Sequence, residues 1–213
     1  LRNGIGEAAN SGFVPKGLAS FNAKKLKGYD YNPQLAKQYL AEAGYPNGEG
    51  LSTITISTTA EYLDICEYMQ HQLGELGIKI KVDVNPPATN NELVANSQLR
   101  FFRKSWIADY PDAENYLSLF KSSNFSPAGP NFTHYSNPNY DALFKETMNI
   151  SNDSIRNLYY LRLDSMIVAD APVVPLFYDQ VVRFLPKYVS QIGINPMNLL
   201  DLKNAIKEQQ KKH

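Results

Sequence analysis

Residues 51–84 read "LSTITISTTAEYLDICEYMQHQLGELGIKIKVDV" and change period twice. Ile54 and Ile56 alternate with threonines, the pattern of a half-buried strand. Tyr62, Cys66, Met69, Leu73 and Leu76 then follow at steps of four, three, four and three, which is one face of a helix, and Gly77 closes it. Ile78, Ile80, Val82 and Val84 alternate again. Strand, helix and strand joined by short connections make a βαβ unit, with parallel strands and a right-handed crossover. The chain is therefore expected to be α/β. Cys66 lies on the helix stripe and is expected to be a core thiol.

Upstream, residues 1–31 hold five glycines and Pro15 without a sustained period, and are expected to form a loop-rich lead-in. "NPQLAKQYLAEAGYPNG" follows with clear helix punctuation: Asn32 as N-cap, Pro33 in the first turn, Gly44 beyond the end. Leu35, Tyr39 or Leu40, and Ala43 are expected to form its buried stripe. Downstream, Pro86 and Pro87 end the second strand. A short helix near "NNELVANS" and a strand through "LRFFRKSWIA" come next, and residues 122–136 are expected to be a loop. Asn137 and Pro138 repeat the capping device ahead of another helix. A longer helix covers roughly 153–169, with Ile155, Leu158, Leu161 or Arg162, Met166 and Ala169 along its buried side. "APVVPLFY" and "VVRFLP" are expected to be two closing strands, before a polar, frayed tail.

Between these elements lies "KSWIADYPDAENYLSLF", residues 104–120, with the single tryptophan, Trp106, and three acids, Asp109, Asp112 and Glu114. It starts on a strand end and runs into a loop, where ligands tend to bind in open α/β sheets. Asp112 and Glu114 fit the first turn of a helix over "AENYLSLF", where the helix dipole favours negative charge. Asp109 precedes the proline and sits beside Trp106 and Tyr110, where aromatic walls would exclude water and strengthen its pull on a cationic group. Two other readings compete. The acids could be a general acid and base pair, as in a glycosidase, or could ligate calcium, although the spacing lacks the alternating ligands and glycine of an EF-hand.

Composition excludes several classes. Lysine plus arginine equal aspartate plus glutamate at 21 each, so the basic excess of a nucleic-acid binder is missing. One cysteine permits no intrachain disulfide and no CxxC motif. No apolar run approaches the ~20 residues that span a bilayer. "GIGEAA" at 4–9 fits a dinucleotide fingerprint formally but follows no strand, and is read as a turn. Three histidines, His71, His134 and His213, form no metal motif, and His134 has no evident nucleophile partner. No cofactor is expected. Fourteen tyrosines suit either a wet-tipped core or a site that grips organic molecules. The opening "LRNGIGEAAN" has no initiator methionine and no signal peptide, as expected of a start inside a longer protein.

The segments "SWIADYPDAENYLSLF", "NFTHYSNPNYDALF", "RNLYYLRLDSMIVADAPVVPLFY" and "VRFLPKYVSQIGINPM" resemble, in that order, the second half of family 5 extracellular solute-binding proteins. "GYDYNPQLAKQYLAEAGYPNGEG" and "MQHQLGELGIKIKVDV" are similar to the same family, so the resemblance runs from about Gly28 to Leu202. It implies a periplasmic-binding-protein-like lobe with a mixed sheet flanked by helices. It also implies a substrate-binding component of an ABC importer, not an enzyme, capturing peptides between two hinged lobes and delivering them to a membrane permease. On that pattern residues 1–31 lead in from a missing first lobe, 32–178 form the ligand-binding second lobe, and 179–213 return toward the first. The location implied is periplasmic or cell-surface, with a lipid anchor on the missing N-terminal part. In W-x-x-D-Y, here Trp106 to Tyr110, the aspartate of peptide-binding members pairs with the ligand's α-amino group, a role that passes to Asp109. Main-chain groups near Ile107 would bond the peptide backbone as an added strand does. Trp106 would wall a side-chain pocket, Arg103 would point toward the ligand, and Tyr178 would edge the cleft. Runner-up readings are a hydrolase using Asp109 with Asp112 or Glu114 and, among receptors, a nickel-chelate, opine or sugar binder.

Overall fold

Parallel strands and a crossover helix do form at the expected place. In this computed structural model, which describes residues 6–193 and 200–208, β2 (Ile54–Thr58) pairs in parallel with β3 (Ile80–Val84), Ile54 opposite Ile80, and α2 (Leu63–Gly74) connects them. They follow β1 (Glu7–Ala8) and α1 (Pro33–Glu42). Cys66 is buried on α2, as a core thiol should be. Beyond α2 the chain turns at Gly77, whose φ of +85° favours glycine, and a Cβ there would lie 1.9 Å from the Asn47 carbonyl oxygen. The strand expected through residues 99–108 shrinks to a single bridge, Phe102 parallel to Ser57. Ser57 donates its N–H to the Phe101 carbonyl, and Arg103 donates to the Ser57 carbonyl.

Helix starts follow the sequence closely. The Asn32 side chain accepts from the Leu35 N–H at 3.0 Å, and Asn152 does the same for Ile155 at 3.1 Å. These caps open α1 and the 18-residue α6 (Asp153–Asp170). Asn137 accepts from the N–H groups of Asn139 and Tyr140 at the start of α5 (Pro138–Thr147). Pro87 opens α3 (Pro87–Ala95), so the proline pair that ends β3 also starts the next helix. A single short turn, α4 (Glu114–Leu117), stands where a helix over 113–120 is expected and continues as a 3-10 turn to Phe120.

Buried faces depart from expectation. Helix α1 has no buried residue, and Tyr39 and Ala43 are exposed. On α6, Ile155 and Leu158 are exposed, while Tyr160, Leu163, Asp164 and Ile167 are buried. The expected stripe is rotated off the core because an acid sits on the buried face. Asp164 is tolerated there because it accepts N–H bonds from Phe13 at 2.7 Å and Val14 at 3.3 Å. Gly12 makes room: a Cβ on it would lie 1.9 Å from the Asp164 carboxylate.

The C-terminal part also differs. β4 (Phe177–Tyr178) is two residues long and pairs antiparallel with β1, so part of the "GIGEAA" segment is strand. Residues 181–186, expected as a strand, are not one, and Phe184 is 94% exposed. Instead β5 (Val189–Ser190) pairs antiparallel with β6 (Ile206–Lys207). The fold is α/β with both parallel and antiparallel pairings, carried among the described residues by three separate ladders. Gly4 and Ile5, residues 194–199, and the tail from 209 with His213 lie outside the described residues. No described helix is long and apolar enough to cross a membrane. The chain divides into two compact units interleaved in sequence. One takes residues 29–106 and 118–142, the other residues 6–28, 107–117 and those described from 143 onward.

Candidate functional site

Residues 107–117, which belong to the second unit, bury Ala108 and Ala113 and expose 107 and 109–111 before entering α4. Ile107 is 68% exposed, Ala108 is buried, and Asp109 and Tyr110 are exposed. Ala108 is held from below: the Tyr116 hydroxyl bonds its backbone, and Phe13 meets the Tyr116 ring edge-on at 6.1 Å. Burial pushes the Tyr116 hydroxyl pKa up, only partly offset by that bond. Asp109 is thus presented outward from a fixed segment. The shelter that aromatic neighbours were expected to give it is missing within this unit, because Tyr110 is itself half-exposed.

Asn115 ties Asp109 down. It accepts the Asp109 N–H through Oδ1 at 3.4 Å and donates from Nδ2 to Asp109 Oδ2 at 3.3 Å. The other acids have local partners. Asp112 Oδ1 accepts the Glu114 N–H at 2.9 Å, capping α4, and its Oδ2 lies 3.6 Å from Arg156 Nη2 on α6. Arg156 also meets Asp153 at 2.8 Å. The Tyr110 hydroxyl donates to Glu114 Oε2. Asp112 and Glu114 therefore behave as first-turn acids, as their sequence positions suggest.

Two phenols beside these acids are perturbed. Burial and then the Glu114 bond push the Tyr110 hydroxyl up to about 12. The Tyr160 hydroxyl is driven above its ordinary value by burial, with Asp112 next in weight. In both cases burial leads and the nearby carboxylates follow, so the two phenols stay neutral.

Tyr178 is also in the second unit. Its hydroxyl donates to the Gly12 carbonyl at 2.7 Å, its ring meets Phe21 edge-on at 5.6 Å, and burial followed by the Asp164 charge raises it to about 12. The hydroxyl is thus engaged in holding the 9–14 segment. Arg103 and Trp106 belong to the first unit. The Arg103 guanidinium stacks 3.1 Å from the Tyr62 ring centroid, and Trp106 is half-buried.

Three features escaped the sequence. Asn115, buried to 6% exposure, has no local motif to mark it, although a buried asparagine in a first helical turn has a hydrogen-bonding duty. Asp164 was hidden by its place among apolar helix positions. His134 has hydroxyl partners after all: its Nε2 is 2.9 Å from Ser97 Oγ and 3.1 Å from Ser126 Oγ. Phe125 stacks on its ring at 4.8 Å, and the Ser126 carbonyl lies 3.0 Å from the same nitrogen. One nitrogen shared by two hydroxyls and a carbonyl fastens the 124–134 loop to Ser97, two residues beyond α3. Among the described residues no group of three or more His, Cys, Asp or Glu side chains could hold a metal ion.

Known proteins give this geometry its setting. The chain is 28% identical over 192 residues to the glutathione-binding protein GsiB of Escherichia coli K12, covering 87% of this chain and 37% of that relative. It thus spans less than half the length of the curated relative it matches. The fold matches the periplasmic binding protein DppA of Helicobacter pylori in complex with the peptide STSA, with TM-score 0.76 and 26% identity. That match covers 83% of this chain and 34% of the other. A dipeptide-binding protein from Pseudoalteromonas sp. SM9913, in complex with Met-Leu, matches with TM-score 0.76 and 27% identity over 97% of this chain and 41% of the other. Residues 1–127 match the family described as bacterial extracellular solute-binding proteins, family 5 middle. The chain belongs to family 5 of the bacterial extracellular solute-binding proteins.

Proposed function

We propose that this chain is the ligand-holding portion of an ABC-importer receptor for small peptides, and that Asp109 accepts the ligand's α-ammonium. The observation that carries this is the state of Asp109: an exposed carboxylate on a pinned segment, bonded to the neutral Asn115. The peptide-bound relatives support the ligand class. Glutathione, named in the GsiB relative, also carries one free α-ammonium and suits the same acceptor. The exposed Ile107 offers a main-chain edge for an extended ligand, with Trp106 as a pocket wall; Arg103 and Tyr178 contribute at the margins.

In this assignment residues 32–178 are the second lobe, while 1–31 and 179–213 connect to a first lobe carried elsewhere in the protein. The receptor works outside the cytoplasmic membrane, is lipid-anchored, and hands its cargo to a permease. The hydrolase alternative is weakened by the partners of its second acid: Asp112 caps α4 and faces Arg156, and Glu114 holds Tyr110.

An ammonium on an exposed carboxylate is worth ~0–1 kcal/mol, and losing one partner of a desolvated pair costs ~2–5 kcal/mol. Asp109→Asn in the intact protein should therefore weaken free peptides at least tenfold once the ligand is enclosed, and leave N-acetylated peptides unchanged. Calorimetric titration with both peptide forms and with glutathione tests this. Equal losses for free and acetylated peptides would show that the carboxylate does not read the amine.

A further inference from the structure

Asn115 touches Asp109 twice, from both ends of one amide. Its Oδ1 takes the Asp109 main-chain N–H, and its Nδ2 reaches Asp109 Oδ2. The two bonds settle the orientation of the amide, since a flipped side chain would set oxygen against carboxylate and nitrogen against N–H. Both are long, at 3.4 and 3.3 Å, so each alone is weak. Together they fix backbone and side chain of the same residue, which limits the rotamers open to the carboxylate.

The support is itself anchored. Asn115 is buried on α4, whose Leu117 has no exposed surface and whose N-terminus is capped by Asp112. Asp112 is tied in turn to Arg156 on α6. Position thus passes from the long helix through α4 to Asp109. Asp109 Oδ1 has no partner among the described residues and remains open to a donor.

The chemical character of Asn115 matters as much as its place. A lysine or arginine here would hold the carboxylate more tightly but cancel its charge. A carboxamide supplies an N–H without net charge, so the anion stays available to a cation.

We propose that Asn115 is the positioning residue for the ligand-binding carboxylate, holding Asp109 Oδ2 and the Asp109 N–H so that Oδ1 faces the ligand's α-ammonium. This rests on the reading of Asp109 given above. Asn115→Leu, nearly isosteric, should lower affinity for a free dipeptide about tenfold and leave its N-acetylated form unchanged. Asn115→Asp keeps the size and sets a second carboxylate against the first, so the pair shares a proton. Affinity of that variant for the free dipeptide should then vary with pH between 5 and 7 while wild type stays flat.

The experiment is calorimetric titration of the intact protein, wild type, Asn115→Leu, Asn115→Asp and Asp109→Asn, with a free and an N-acetylated dipeptide. If Asn115→Leu weakens both ligands equally, or neither, the positioning role is overturned. If that variant does not fold, the pH profile of Asn115→Asp decides, and a flat profile overturns the role. Asp109→Asn reports separately: a loss confined to the free dipeptide keeps the ammonium reading standing even where the Asn115 proposal has failed.

Discussion

Replacing Asp164 by asparagine removes a titration that works against the folded state at neutral pH. The carboxylate is buried on α6 and receives N–H bonds from Phe13 and Val14, which favour its charged form. Burial outweighs them and raises its pKa from 3.8 to about 6. Between those values the folded protein binds the proton more tightly than the unfolded chain does, so unfolding releases it and stability falls as pH rises. The loss is complete above the folded pKa. At 1.36 kcal/mol per pKa unit, a rise of about two units corresponds to about 3 kcal/mol. Asparagine cannot ionise, so the wild-type-minus-variant difference in unfolding free energy should drop by about 2–2.5 kcal/mol from pH 4, where the unfolded carboxyl is already more than half ionised, to pH 7. Urea unfolding of both proteins at pH 4, 5, 6 and 7 measures it, and subtraction removes every other titrating group. A difference independent of pH, or one that grows with pH, would refute the claim that desolvation dominates at this carboxylate.

Gly12→Ala attacks the same junction from the other side. The new Cβ would sit 1.9 Å from Asp164 Oδ2, so either the carboxylate or the 12–14 backbone must withdraw, at a cost of about 2–4 kcal/mol. Because both changes break one contact, Gly12→Ala combined with Asp164→Asn should destabilise by less than the sum of the two; additivity would show that they act separately. Two leucines on α6 test which face is inside. Leu163→Ala should cost about 2–5 kcal/mol and Leu158→Ala less than about 1 kcal/mol in chemical unfolding, and the reverse order would restore the stripe expected from sequence.

What the sequence displays follows from how local its signals are. The β2–α2–β3 unit was legible because its period changes at each boundary and its punctuation acts within a few residues. Asn32 and Asn137 were legible as helix openings for the same reason, since an N-cap bonds its own first turn. The buried face of α6 was not, because it depends on Phe13 and Val14, 151 and 150 residues away from Asp164. Apolar pattern alone rejects an acid from the interior, and only a distant pair of amides makes the exception. The segment 181–186 misled in the opposite way: its valines and phenylalanine have strand composition, but a strand exists only where a neighbour completes its ladder. Asp109 stood out by its company of aromatic residues. Its partner Asn115 did not, because an asparagine beside a helix start has many ordinary duties.

A carboxylate that captures an ammonium must satisfy two conditions that oppose each other. It must be solvated enough to remain charged before the ligand arrives, and shielded enough afterwards for the pair to matter. An exposed Asp109 meets the first condition within this chain. The second cannot come from Ile107 or Tyr110, which are exposed beside it. Under the proposed function the shielding comes from the ligand and the rest of the receptor as the cleft shuts, and the pair gains its strength only then. That division makes pre-organisation valuable. A loose aspartate would lose rotamer freedom at the moment of closure, whereas one already held by a buried, uncharged amide has little left to lose. The choice of asparagine over a cation leaves the charge of Asp109 uncancelled, so the carboxylate stays available until a positive group reaches it.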